Sequence, residues 1–170
     1  MPPEYAPASF RNPCPSPAGI GAQVRPEYAA LLTELDGLPL AVEFRNSAWA
    51  NDKVFAEPAR RRVSLVTVDA PELDGLFPWR DVVTNPDLFY VRFHGRNSLG
   101  WRLNKMATQF DYDYSDDELG TWIDERLRRL VDAAKTGVLF FNNHVRGQAP
   151  RNARRLLGLF EKAGIVGCAT

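Results

Sequence analysis

At 170 residues, with 45% apolar and 25% charged side chains, the chain has the balance of one ordinary globular domain and can bury a core. It is short for a closed barrel of alternating strands and helices, which usually takes ~250 residues and has a lower limit near ~200. Lysine plus arginine and aspartate plus glutamate each total 21, so the formal net charge is zero and no whole-molecule field draws in nucleic acid or an anionic membrane.

The first 19 residues hold six prolines (Pro2, Pro3, Pro7, Pro13, Pro15 and Pro17), which fix φ and remove backbone donors, so a loop or extended lead-in is expected there. Nothing near Met1 combines a basic start, a long apolar run and a small-residue cleavage site. No apolar stretch approaches the ~20 residues that span a bilayer. Cys14 and Cys168 form no metal-type spacing. Together these features predict a soluble chain in a reduced, cytoplasmic setting.

The run from Pro26 to Leu35 places apolar residues at helical spacing behind a proline suited to a first turn, and Asp36-Gly37 stops it. Leu38 to Phe44 is a short apolar run with a carboxylate near its end, which suits a strand buried on both faces. Trp49 to Arg62 reads as a helix or as a loop with one turn. Val63 to Val68 is rich in β-branched residues, ends at Asp69 and predicts a second strand. Leu88 to Phe93 predicts a third, running into His94-Gly95-Arg96. Residues 96–114 form a long polar and aromatic connection, of the kind that often serves as a lid or binding loop. Ser115-Asp116-Asp117-Glu118 matches a capping box, and the helix it opens runs to Ala134 with Leu119, Trp122, Ile123, Leu127, Leu130 and Val131 on one stripe. Gly137 is read as the end of that helical region. A fourth strand, Val138 to Phe141, then enters Asn142-Asn143-His144, and a last helix runs from about Pro150 to Ala163.

Strands alternating with helices imply parallel pairing with crossover connections, hence an α/β fold with about four parallel strands. Parallel strands put their C-termini at one end of the sheet, where ligands bind in such folds. Glu43, Arg45, Asp69, Arg92, His94, Asn142, Asn143 and His144 all fall at strand exits and are expected to gather there. Each has a structural alternative. A histidine can cap a strand, Glu43 can be a buried partner of Arg45 or Arg92, and Asp69 before Ala70-Pro71 can initiate a turn. Two amides directly after an apolar strand suit a ligand or a hydrogen-bond network. Arg92, Arg96, Arg146, Arg151, Arg154 and Arg155 lie near or beyond the same ends and suit phosphate or carboxylate, with a solvated helix face as the alternative for Arg154 and Arg155. Arg60 to Arg62, Arg126, Arg128 and Arg129 read as outer-helix charges. Trp49 and Trp79 are expected to pack, whereas Trp101, in a polar loop, is the better candidate for a ligand contact. The chain lacks a glycine-rich phosphate loop, a Gly-x-Ser-x-Gly elbow and a His-Glu-x-x-His motif, which removes triphosphate hydrolysis, serine hydrolysis and zincin chemistry from consideration.

Four motifs in one order carry a family resemblance: Val42-Glu43-Phe44-Arg45-Asn46-Ser47-Ala48-Trp49, Tyr90 to Arg96, Tyr114 to Leu119 with Trp122, and Phe141 to His144 followed by Ala149-Pro150-Arg151-Asn152-Ala153. This set resembles the YecE-like family, also called the domain of unknown function seventy-two. The resemblance implies a TIM-barrel-like fold with the motifs at its C-terminal mouth, and it implies no reaction. It also implies roughly another hundred residues upstream. The expectation is therefore a proline-rich lead-in over residues 1–24 and a partial (β/α)-barrel over 25–170, the C-terminal part of a larger barrel, with an open first edge prone to self-association.

Three functions stay open. One is an enzyme, a hydrolase or lyase of a phosphorylated or sugar-like substrate, with Glu43 or His94 as acid/base and Arg92 and Arg151 as anion clamps. Arg45, Asp69, Arg96, Trp101, Asn142, Asn143, His144 and Asn152 join those arginines as candidate ligand contacts. A metal variant would use Glu43, Asp69, His94 and His144, although no spacing among them is diagnostic and no cofactor is indicated. The second is a nucleic-acid-binding barrel, against which the neutral charge weighs. The third is a non-catalytic fragment that works by pairing with another chain.

Overall fold

The computed structural model describes residues 26–80 and 82–165. The lead-in, Cys14 and Cys168 lie outside the described residues. The described elements run α1 (Pro26–Glu34), β1 (Ala41–Val42), α2 (Asp52–Arg61), β2 (Ser64–Asp69), β3 (Leu88–Phe93), α3 (Ser98–Arg102), α4 (Met106–Gln109), α5 (Asp116–Trp122), α6 (Arg128–Ala133), β4 (Thr136–Phe141) and α7 (Gln148–Lys162). The four strands form one sheet in the order β1-β2-β3-β4, and every neighbouring pair is parallel. This is the α/β arrangement that alternating strands and helices require, with both outer strands paired on one side only among the described residues.

Local chemistry explains most of the boundaries. Asn51 caps α2 by accepting from Val54 N at 3.1 Å, and Arg62 ends that helix in the left-handed region at φ 56°. Ser115 and Glu118 form the expected reciprocal capping box at the start of α5. The helix then passes through a π turn at Ile123–Leu127 before continuing as α6. The connection expected to be irregular over 96–114 contains α3 and α4, the former capped by Asn97 accepting from Gly100 N at 3.1 Å. Trp49 to Arg62 resolves into a short turn at Ser47–Trp49 and the helix α2.

Two boundaries differ from the sequence reading. β1 is only two residues long. β4 begins at Thr136, so Gly137 lies inside the strand rather than stopping a helix. A Cβ at Gly137 would sit 2.0 Å from Phe89 Cζ, so the glycine is there to let the aromatic ring of β3 lie against the next strand. Val131, placed on the apolar stripe by its spacing, is exposed at the end of that helix.

The register divides the sheet into two faces. Thr67 pairs with Val91, Asp69 with Phe93 and Phe93 with Phe141, so these residues share the face covered by helices. Val68 pairs with Arg92 and Arg92 with Phe140, which puts them on the other, inner face. On the helix side, Phe89, Val91 and Phe93 pack with Trp122, Ile123, Leu127, Leu130 and Leu156 in one buried cluster. A second cluster joins Tyr28, Leu32, Phe44, Val54, Phe55, Val63, Leu65 and Phe77 around α1, α2 and β1. The candidate site stands where the strands leave these two cores.

Candidate functional site

Glu43 follows β1 directly and is nearly buried, which makes an unpaired carboxylate there costly. It is heavily paired. Arg92 Nη1 donates to Glu43 Oε2 at 2.5 Å, and Arg92 Nε donates to Asn142 Oδ1 at 3.0 Å, so one guanidinium ties the exits of β1, β3 and β4 together. On the other oxygen, Arg45 Nε stands 2.7 Å from Glu43 Oε1 in a close ionic contact, and His94 Nε2 stands 3.4 Å from it, both out of hydrogen-bond alignment. Burial works against ionisation of Glu43, but the contact with His94 and the charges of Arg45 and Arg92 outweigh it and bring the pKa down to about 2.

His94 is 1% exposed, and neither ring nitrogen has a hydrogen-bond partner. Its ring lies edge-on to Trp101 at 6.1 Å and tilted against Phe110 at 5.8 Å, and Phe110 also faces His144 at 5.7 Å. Trp101 Nε1 is likewise buried without a partner. Buried polar atoms are normally satisfied, so three orphaned nitrogens on two touching rings, next to Glu43 Oε1, mark a place with unfilled hydrogen-bonding capacity. Gly95 lets the chain turn away directly after His94. Its φ is +87°, and a Cβ there would meet Tyr112 Cβ at 2.6 Å.

Asp69 and Arg96 belong to a different cluster, on the helix-covered side. Arg96 grips the buried Asp69 with both ends of its fork, Nε to Oδ1 at 2.9 Å and Nη2 to Oδ2 at 2.6 Å. Tyr114 Oη donates to Asp69 Oδ1 at 2.6 Å and accepts from Gly95 N at 2.9 Å. The hydrogen bond to Asp69 raises the Arg96 pKa, while burial and then the same carboxylate push that of Tyr114 far up. Asp69 is therefore a buried anchor rather than a simple turn initiator. Arg126, read from sequence as an outer charge, lies 4.4 Å over the Trp79 ring and 3.7 Å from Asp69 Oδ2. An open concavity of about 840 Å³ runs along this side, with Asp69, Arg96, Arg126, Trp79, Pro71 and Ser98 among its walls. A smaller one of about 310 Å³ is walled by Leu73, Asp74, Leu76, Trp101 and Arg102.

The expected single gathering of strand-exit residues is thus two clusters on opposite faces. Glu43, Arg45, Arg92, His94 and Asn142 meet on the inner face, with Trp101 against His94. Asn143 and Asn152 are fully buried and bonded to each other, Asn143 Nδ2 donating to Asn152 Oδ1 at 2.5 Å. Asn143 also donates to Tyr112 O at 2.7 Å, and Asn152 to Asp113 Oδ1 at 2.7 Å, so they fasten α7 to the loop before α5. Arg151 is directed at Arg146 O, 2.7 Å away, and at Asp113, away from Glu43. His144 is exposed, with Nδ1 3.1 Å from Asn142 O. Among the described residues, no three histidine, cysteine, aspartate or glutamate side chains are placed to hold a metal ion. No described helix is long and apolar enough to cross a membrane. Phe110, Tyr114 and Arg126 were not candidates from the sequence; the aromatic content of 96–114 hinted at the first two, and the motif Tyr114 to Leu119 contained the second.

Comparison with known proteins finds relatives that share the fold. The chain is 29% identical over 139 residues to the UPF0759 protein YunF of Bacillus subtilis (strain 168), covering 75% of this chain and 49% of that one. It superposes with a TM-score of 0.72 on the crystal structure of a DUF72 family protein from Thermotoga maritima MSB8, at 37% identity over 79% of this chain and 51% of that one. A DUF72 family protein from Enterococcus faecalis V583 matches with the same TM-score of 0.72 at 29% identity, over 81% and 54%. The chain spans about half the length of these relatives, whose fold is TIM-barrel-like. Residues 16–167 match the family described as "Protein of unknown function DUF72", and the chain belongs to that family.

Proposed function

We propose that the inner-face cluster is an acid–base site for a small anionic ligand, a phosphorylated or sugar-like molecule, in a hydrolase or lyase. One observation carries the reading: a buried imidazole with both nitrogens unpartnered sits against an ionised glutamate and an equally unpartnered indole N–H. A glutamate held near a pKa of about 2 is a weak base at neutral pH, so it does not itself take the proton. Its role is to orient His94. A carboxylate only accepts, so Nε2 facing Glu43 carries the hydrogen, and Nδ1 keeps the lone pair that can remove a proton from a ligand. Arg45 and Arg92 outnumber the one carboxylate they share, which leaves positive charge for an anion. Arg92 commits two of its five N–H donors to Glu43 and Asn142. Trp101 Nε1 adds a neutral donor, a group suited to a ligand hydroxyl or phosphate oxygen.

The chain has two histidines, so their ring C–H signals can be followed separately by proton NMR while inorganic phosphate is titrated in. The expected result is a saturable shift of the His94 signals that Arg92→Ala weakens at least about tenfold, consistent with loss of a charge-assisted contact. A response confined to exposed His144, or none at either ring, sinks the reading.

A further inference from the structure

We infer that the larger concavity on the helix-covered side is a second ligand site, separate from the inner-face cluster, which takes an oxyanion carried on an apolar body. The space is there because one crossover lacks its helix. Parallel strands are usually joined through an α-helix that packs beside the sheet. Among the described residues, the connection over 70–87 between β2 and β3 carries none, although Trp79 and Val83 from it still pack on the core. What it leaves open is about 840 Å³, within the range of small-molecule sites. The walls come from the end of β2, this connection, the exit of β3 and the π turn Ile123–Leu127.

Arg126 sets the anion end. The π turn carries it to the wall of the concavity, and such turns recur at functional sites. Its guanidinium lies 4.4 Å over the Trp79 ring, its side chain is 24% exposed, and it makes no hydrogen bond among the described residues. Asp69 Oδ2 stands 3.7 Å from it but is already held by Arg96 at 2.6 Å. The fork of Arg126 is therefore uncommitted, and a carboxylate or phosphate group would complete it. Charge agrees: Arg80, Arg96 and Arg126 stand against Asp69 and against Glu118, 3.9 Å from Arg96, which leaves a positive balance. Pro71, Leu73, Leu76 and Phe77 continue the wall and suit an apolar body. Glu72 and Asp74 on the same stretch oppose a second negative group, so one anionic head fits and a polyanion does not.

Nitrogen-15 NMR of the whole chain separates the indole N–H signals of its four tryptophans, with Trp79 assigned through Trp79→Phe. Phenyl phosphate and benzoate are titrated separately, so that the two head groups are told apart, and inorganic phosphate serves as the head group alone. The expected result is a saturable shift of the Trp79 signal with at least one aryl anion, about fivefold or more tighter than with inorganic phosphate. Arg126→Ala should weaken it at least about tenfold, and Arg126→Lys, which keeps the charge and loses the fork, by less. Asp69 stays clamped by Arg96 and Tyr114 in both variants, so each should keep its circular dichroism and any response of His94 to phosphate. A Trp79 response beside a silent His94 supports this site while the inner-face reading fails. No saturable Trp79 shift with either aryl anion, a shift that Arg126→Ala leaves intact, or inorganic phosphate bound as tightly as the aryl anions overturns the inference.

Discussion

At the scale of single residues, a side chain's partners separate those that hold the fold from those left available to a ligand. Glu43 holds it. Its pKa falls from 4.5 to about 2, so its ion pairs contribute stability that is complete above about pH 4.5 and is lost as pH drops through about 2. Glu43→Gln should cost on the order of 2–3 kcal/mol at pH 7 and flatten the acid limb of the stability curve, measured by urea unfolding at stepped pH. An unchanged acid limb would show that another carboxylate governs it. Asn152 holds the fold too, because its amide meets Asn143, Asp113 and Tyr114 in a buried network. Asn152→Ala should destabilise by about 2–4 kcal/mol and leave the phosphate response of His94 intact, since the orphaned partners lie on the other face. His94 behaves oppositely. A buried imidazole without aligned hydrogen bonds contributes its volume and its contact with Glu43, so His94→Leu should cost about 1–2 kcal/mol, less than Glu43→Gln, while abolishing binding to the cluster. Loss of folding in His94→Leu would mean that its contact with Glu43 is structural.

At the scale of elements, β2, β3, β4, the capping box and α7 were all legible in the sequence, because each is written in a few adjacent residues. What was not legible depends on distant contacts. Gly137 reads locally as a helix stop, and only the Phe89 ring against it explains a glycine inside β4. Gly137→Ala should therefore cost about 1–3 kcal/mol through overpacking, and Phe89→Leu in the same chain should recover part of it; strictly additive losses in a double-mutant cycle would refute the contact. Arg126 was misread for a related reason. It lies in the π turn Ile123–Leu127, where the helical register that sorts faces does not hold, and it reaches Trp79 and Asp69. The candidate site was half legible. Parallel pairing correctly sent the polar residues to one end of the sheet, and Arg92 against Glu43 followed from the cost of a buried carboxylate. Strand alternation then split them, because Asp69 pairs with Phe93 and not with Arg92. Burial of Asn143 and Asn152 could not be read from their neighbours in sequence.

For the whole molecule, the division into two cores sets which parts open first. The cluster around β3 and the helices after it includes Val91 and Phe93, both fully buried, and β3 is paired along its length with β4 and from Tyr90 to Phe93 with β2. The cluster around α1 and α2 meets the sheet at β1 and at Leu65 near the start of β2, and the β1 ladder with β2 is two residue pairs long. Local opening follows the weakest set of backbone bonds, so the β1 side should open without the rest. Native-state hydrogen exchange should show Val91 and Phe93 amides exchanging only with global unfolding, and Leu32 and Val42 exchanging through a lower-energy opening. Uniform protection across both sets would refute a divided core. Glu43 bridges the two, since it follows β1 and is held by Arg92 from β3. Glu43→Gln should therefore widen the gap, lowering protection of Leu32 and Val42 more than that of Val91. Phosphate bound at Arg45 and Arg92 should narrow it, because a ligand that contacts both sides favours the closed form over the locally opened one.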